Sequence, residues 1–167
     1  MVMSQFAILR VLGHTRNNKK IVVIAPTCGV CQQKYKMMKE MFDNIYVPNT
    51  KPLNIVIHAG ESHCNAEKLN DATIIVMTPE KLLHAYRQQR LIKWTDNVQL
   101  VIFDDLHLLG NERGRSYEEL IAFMKNKGIR LIGLSSTVCN AQDVELILAQ
   151  ENINGIIQRI LVGQEQD

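Results

Sequence analysis

Five short apolar runs, rich in Val and Ile, punctuate the chain at residues 21–25 (IVVIA), 53–57 (LNIVI), 73–77 (TIIVM), 99–103 (QLVIF) and 129–134 (IRLIGL). Their hydrophobicity is nearly continuous rather than alternating, as expected of strands covered on both faces in a parallel sheet. Longer stretches of helical period lie between them. Residues 31–42 place Tyr35, Met38 and Phe42 on one side. Thr78-Pro79 opens the next helix, over 80–90, because Thr can cap and Pro fits a first turn whose N–H is not needed. Ser116-Tyr117-Glu118-Glu119 reads as a capping box before Leu120, Ile121 and Met124. Asn140 is placed to cap a last helix carrying Val144, Ile147 and Leu148, and residues 4–12 read as a first helix ended by Gly13. Strand–helix alternation of this kind predicts an α/β fold, a parallel sheet with right-handed crossovers and helices on both faces.

Ligands of open parallel sheets bind at the carboxyl ends of the strands. The residues that follow the five runs are Pro26-Thr27, His58-Ala59-Gly60-Glu61, Thr78-Pro79-Glu80, Asp104-Asp105-Leu106-His107 and Ser135-Ser136-Thr137. Any one polar exit needs no explanation, since a strand has to end somewhere. Five together, two of them an acid pair and a Ser-Ser-Thr run, predict a functional edge. Asp104 and Asp105 carry the most chemistry. Adjoining acids beside a buried strand repel each other in low-dielectric surroundings, which disfavours them unless they are used. Such a pair can hold Mg²⁺ with one oxygen and orient a water for attack on a phosphate with the other. The plain alternative is an exposed turn with two solvated acids.

Composition narrows the class without choosing within it. A length of 167 residues suits one domain with a real core, and 5% aromatic residues make that core mostly aliphatic. A formal charge of +2 is too small to argue for nucleic acid by itself. No apolar run nears the ~20 residues that span a bilayer, and the first residues lack the pattern of a signal peptide. Four cysteines without secretory context read as reduced thiols of an intracellular protein.

Residues 101–110 (VIFDDLHLLG), with Glu112-Arg113-Gly114 and Tyr117-Glu118 after them, resemble motif II of superfamily 2 DExH-box helicases and its downstream element. Other segments follow in the family's order. Ala25-Pro26-Thr27 with Gln33 resembles motif Ia, Gly60-Glu61 the turn that contacts RNA, residues 76–81 (VMTPEK) motif Ib, and Leu134-Ser135-Ser136-Thr137 motif III. Phe6-Ala7-Ile8-Leu9-Arg10 resembles the helix after the phosphate-binding loop. Each motif is weak alone, but the ordered set is specific, and it covers nearly all of residues 1–167. Within the family the superkiller-like branch, with its two-cassette spliceosomal helicases, is the most similar.

The resemblance implies a RecA-like, P-loop NTPase type of fold: a parallel sheet sandwiched by helices in three layers, forming a single domain. It implies ATP and Mg²⁺ as cofactors of the complete cassette. Asp104 would hold Mg²⁺ through water, and Asp105 would stand for the water-orienting acid, with His107 beside them. Together with His107, Ser135, Ser136 and Thr137 would couple the nucleotide site to the RNA site. Pro26, Thr27, Gly60, Glu61, Thr78, Pro79 and Glu80 would lie along an RNA backbone, a contact that positions a strand without reading its sequence. The implied partners are single-stranded or partly paired RNA, a second RecA-like domain and spliceosomal proteins, with no membrane; the implied compartment is the nucleus.

Three departures qualify that expectation. The family's Gly-rich phosphate-binding loop would come just before Met1, so the chain alone is expected not to hydrolyse ATP. The family's Glu is Asp105 here, and its Ser-Ala-Thr is Ser-Ser-Thr. A degenerate cassette that docks proteins and has no catalytic role is therefore the alternative. Other constellations are set aside. Cys28-Gly29-Val30-Cys31 at a helix start has thioredoxin spacing, but Pro79 leads into a predicted helix and not a strand. Zinc on Cys28, Cys31, His63 and Cys64 would need an awkward adjacent pair. Trp94 and Tyr86 read as packing residues, not a stacking platform, and Lys34, Lys36 and Lys39 as a solvated helix face.

Overall fold

Val- and Ile-rich runs become strands where helices can cover both faces, and all five expected runs do so. The computed structural model describes residues 19–42, 53–60, 65–88, 93–109 and 114–134. The strands are β1 (Lys20–Ile24), β2 (Ile55–His58), β3 (Ile74–Met77), β4 (Val98–Phe103) and β5 (Arg130–Gly133), ordered β2-β3-β1-β4-β5. Every pairing is parallel. The helices are α1 (Cys28–Phe42), α2 (Ala66–Asp71), α3 (Pro79–Arg87) and α4 (Arg115–Asn126). The expected first and last helices, at residues 4–12 and after Asn140, lie outside the described residues.

Alternation along the central strands sorts the core into two layers. Ile21, Val23, Ile74, Val76, Leu100 and Ile102 meet Cys31, Met38 and Phe42 of α1 on one face. Val22, Ile24, Met77, Val101 and Phe103 meet α3, α4 and the fully buried Trp94 on the other. The result is the expected three-layer α/β architecture. Tyr86 and Trp94 are both buried, and the Tyr86 hydroxyl donates to the Thr95 carbonyl at 3.3 Å, so both are packing residues.

Register fixes the functional edge. Ile24 is level with Met77 on one side and Phe103 on the other, His58 is level with Met77, and Gly133 is level with Phe103. All five strands therefore release their next residues at one height.

Two local features differ from expectation. The capping box at Ser116 does not form: α4 starts at Arg115 with Gly114 as its cap residue and no side-chain cap bond, which puts Ser116 inside the first turn. The cause is close packing. A Cβ on Gly114 would fall 2.2 Å from the Leu108 carbonyl oxygen, so glycine holds the helix start against the segment after β4. Glu119 instead forms an exposed ion pair with Arg87 of α3. The second feature is α2, which periodicity does not announce. Its start is capped by Asn65, whose side chain accepts from the Lys68 N–H at 3.1 Å. Its end is closed by the buried Lys20 ammonium, which donates to the carbonyls of Asn70 at 2.6 Å and Ala72 at 2.7 Å.

Candidate functional site

Three of the level strand exits build one open cleft. Its walls are Pro26, Thr27 and Cys28 after β1, Gly60 after β2, Thr78 after β3, and Glu80, Lys81 and His84 on α3, around a volume of about 620 Å³. Thr27 caps α1: its Oγ1 accepts from the Val30 N–H at 3.3 Å and its carbonyl from the Cys31 N–H at 2.9 Å. Gly60 has φ 63°, and a Cβ there would meet the Cys28 sulfur at 3.2 Å, so glycine serves both the left-handed turn and the close approach. Thr78 precedes α3 in extended conformation and Pro79 occupies its first turn, as expected, but the Thr78 side chain makes no cap bond. Pro79 is buried among the core residues of α3 and does not line the cleft. Sequence reasoning missed Cys28, Lys81 and His84 as cleft residues; the spacing of Glu80, Lys81 and His84 along one helix was the available signal.

The acid pair lies at the neighbouring exit, after β4. Asp104 is buried. Its N–H donates to the Ile24 carbonyl at 2.9 Å, and its carbonyl accepts from the buried Tyr117 hydroxyl at 3.0 Å. The main chain there is tied from both sides, which leaves the carboxylate as the adjustable part. Asp105 has φ 57° and ψ 45°, the left-handed region that Asp enters more readily than most residues. A short 3₁₀ turn, Leu106–Leu108, follows, anchored by the Leu106 N–H on the Leu134 carbonyl at 3.0 Å. His107 lies on this turn, and its side chain is outside the described residues. Glu61, Ser135, Ser136 and Thr137 are also outside them, as are His63 and Cys64.

Lys34 changes its reading. It does not belong to a solvated lysine face: its ammonium lies 2.6 Å from Asp104 Oδ2, while Lys36 and Lys39 are exposed. Its position three residues after the buried Cys31, at the border of the apolar stripe, was the signal in the sequence. Oδ2 otherwise receives no hydrogen bond from the described residues, so the pair is held by charge rather than by an aligned N–H···O bond. The chemistry suits Mg²⁺. Asp104 offers a hard carboxylate oxygen beside the level edge. An ion that keeps its waters and takes its other ligands from phosphates fits that setting.

Burial gives the fold an alkaline limit. Burial, then the neighbouring Cys28, pushes the Cys31 thiol from 9.0 up to about 12. Burial likewise raises Tyr86 and Tyr117, with the charge of Asp104 the next cause at Tyr117. A group whose folded pKa is raised favours the fold fully below its unfolded pKa and loses that contribution as pH climbs through the folded one. Lys20, lowered mainly by burial, works the opposite way, since deprotonation relieves its penalty. Three groups oppose one. Urea-unfolding midpoints should therefore hold level to about pH 9 and fall steadily above it, and Cys31→Ala should make the decline shallower.

Comparison with known proteins agrees with this architecture. Residues 2–144 match the family described as DEAD/DEAH box helicase. The chain is 33% identical over 157 residues to the ATP-dependent DNA helicase MER3 of Saccharomyces cerevisiae, covering 90% of this chain and 13% of that protein. It is 31% identical over 149 residues to the human U5 small nuclear ribonucleoprotein 200 kDa helicase, covering 86% and 7%. It is 32% identical over 153 residues to the pre-mRNA-splicing factor brr2 of Schizosaccharomyces pombe, covering 87% and 7%. The chain thus spans between 7% and 13% of the length of these relatives.

Proposed function

Because the chain belongs to the DEAD/DEAH box helicase family, we propose that it forms the first RecA-like domain of an ATP-dependent helicase cassette that remodels RNA or RNA–protein complexes in pre-mRNA splicing. The observation that carries this reading is the level edge: an open cleft over β1, β2 and β3 beside a buried acid at the end of β4. In this reading Asp104 would hold the Mg²⁺ that accompanies ATP, which would supply positive charge at the phosphates. Asp105 orients the attacking water, and His107, Ser135, Ser136 and Thr137 couple the nucleotide site to the strand. Pro26, Thr27, Gly60, Glu61, Thr78 and Glu80 follow the strand backbone, and Pro79 sets the start of α3. The splicing relatives support an RNA substrate, a spliceosomal setting and a nuclear location. A second reading, a DNA strand in the same cleft, is favoured by the identity to a DNA helicase.

Both substrates present phosphates to the cleft, so contacts there carry affinity without sequence preference. Fluorescence anisotropy with RNA and DNA strands of the same sequence separates the two readings. Tighter binding to RNA supports the first, equal or tighter binding to DNA supports the second, and no binding to either favours a protein-docking domain. Lys81 supplies a positive charge in the cleft. Lys81→Ala should weaken binding by a similar factor for every sequence and reduce the salt slope by about 1. A loss confined to particular sequences would rule out backbone tracking.

A further inference from the structure

Asp104 is a carboxylate with two claimants. Its main chain is fixed by Ile24 and Tyr117, the residue is 8% exposed, and Oδ2 is compensated by the Lys34 ammonium at 2.6 Å. A carboxylate removed from water needs a cation, and Lys34 supplies one. A divalent ion on the same carboxylate would sit within a few ångströms of the ammonium, where like charges repel strongly in partly buried surroundings. The Lys34 side chain is 23% exposed, so it has a route to solvent and can leave without unfolding α1.

We propose that Lys34 is the resident counter-ion of Asp104, displaced when a divalent ion takes the carboxylate; this rests on Asp104 being the metal-holding acid. Lys34 thereby keeps the buried charge compensated whenever no metal is bound and lowers the affinity of Asp104 for free divalent ions. A metal ion arriving with phosphates is favoured over a bare one, because the phosphates' negative charge offsets the repulsion and offers the released ammonium a partner. Lys34 is thus a positioning residue acting through Asp104.

Mn²⁺ alone, followed by water-proton relaxation, tests this on the chain itself. Lys34→Gln should tighten Mn²⁺ binding roughly tenfold, since it removes the opposing charge, while Lys34→Arg should stay near the parent. Asp104→Asn should abolish the site. In the unmutated chain, acetylation of Lys34, read by mass spectrometry, should accelerate when Mn²⁺ is added. Unchanged or weaker Mn²⁺ binding in Lys34→Gln, with Asp104→Asn still abolishing it, overturns the counter-ion role and leaves Asp104 as the metal-holding acid. Mn²⁺ binding that survives Asp104→Asn overturns the reading of Asp104 itself. Should Lys34→Gln fail to fold, the labelling decides alone: an acetylation rate indifferent to Mn²⁺ rejects the proposal.

Discussion

Asp104→Asn is expected to lower strand-stimulated ATP hydrolysis by about 10³-fold while leaving strand binding within about twofold, because a metal-held charge contributes several kcal/mol to phosphoryl transfer. The measurement is made on the full-length protein. The substitution keeps the shape of the side chain. It leaves untouched the two contacts that fix this position, since both use the main chain: the N–H to Ile24 and the carbonyl to Tyr117. Lys34 loses its anion but keeps an amide oxygen to approach and has partial access to water, so the stability cost is held to about 1 kcal/mol. The cleft is walled by residues from other strand exits, which is why binding should survive. Loss of both hydrolysis and binding would point to misfolding, which thermal unfolding would reveal. Full hydrolysis in the variant would mean that the metal is held elsewhere.

The sheet was legible because burial on two faces writes itself as uninterrupted hydrophobicity. Each expected run coincides with a strand to within two residues at either end. Helix α1 was legible through Met38 and Phe42, and the start of α3 through Thr78-Pro79. What periodicity could not show is α2, a six-residue helix with a single buried residue, Leu69. Its start is held by the Asn65 side chain accepting from the Lys68 N–H and its end by a hydrogen bond from Lys20, some fifty residues away in sequence, a partner that local pattern does not contain. The capping box failed for a related reason. A tertiary approach between Gly114 and Leu108 overrode a local signal that was sound in itself.

The candidate site divides in the same way. Residue type after each strand marked the edge, since polar exits are visible wherever strands are. Which exits share a cleft depends on strand order, and β3-β1-β4 adjacency is not written in a chain that visits β2 between β1 and β3. Lys34 shows the limit most clearly. In sequence it is one of three lysines on a polar stretch, and only the packing of α1 on the sheet brings it to an acid seventy residues later. The ordered motifs supplied the family, but not this contact.

Asp105→Glu is expected to raise strand-stimulated hydrolysis by up to ~10²-fold, since one methylene less withdraws the carboxylate by about an ångström from where the family's Glu would orient water. The local backbone sets a cost against that gain. At φ 57° and ψ 45° Asp105 occupies the left-handed region, where Asp is enriched over most side chains, so Glu should lower stability by up to ~1 kcal/mol. That cost is separable, because it acts on unfolding midpoints and the gain acts on turnover. Asp105 is only half-buried, which leaves a longer side chain room to extend. A large gain would show that the domain keeps the rest of a working engine, limited at one atom's reach. A modest fall in stability with measurable hydrolysis before and after, and no gain, would show that Asp105 already places the water and that the fold has adjusted around it. Absence of hydrolysis in both forms, with strand binding also absent, would favour a domain that has kept the helicase fold as a docking surface.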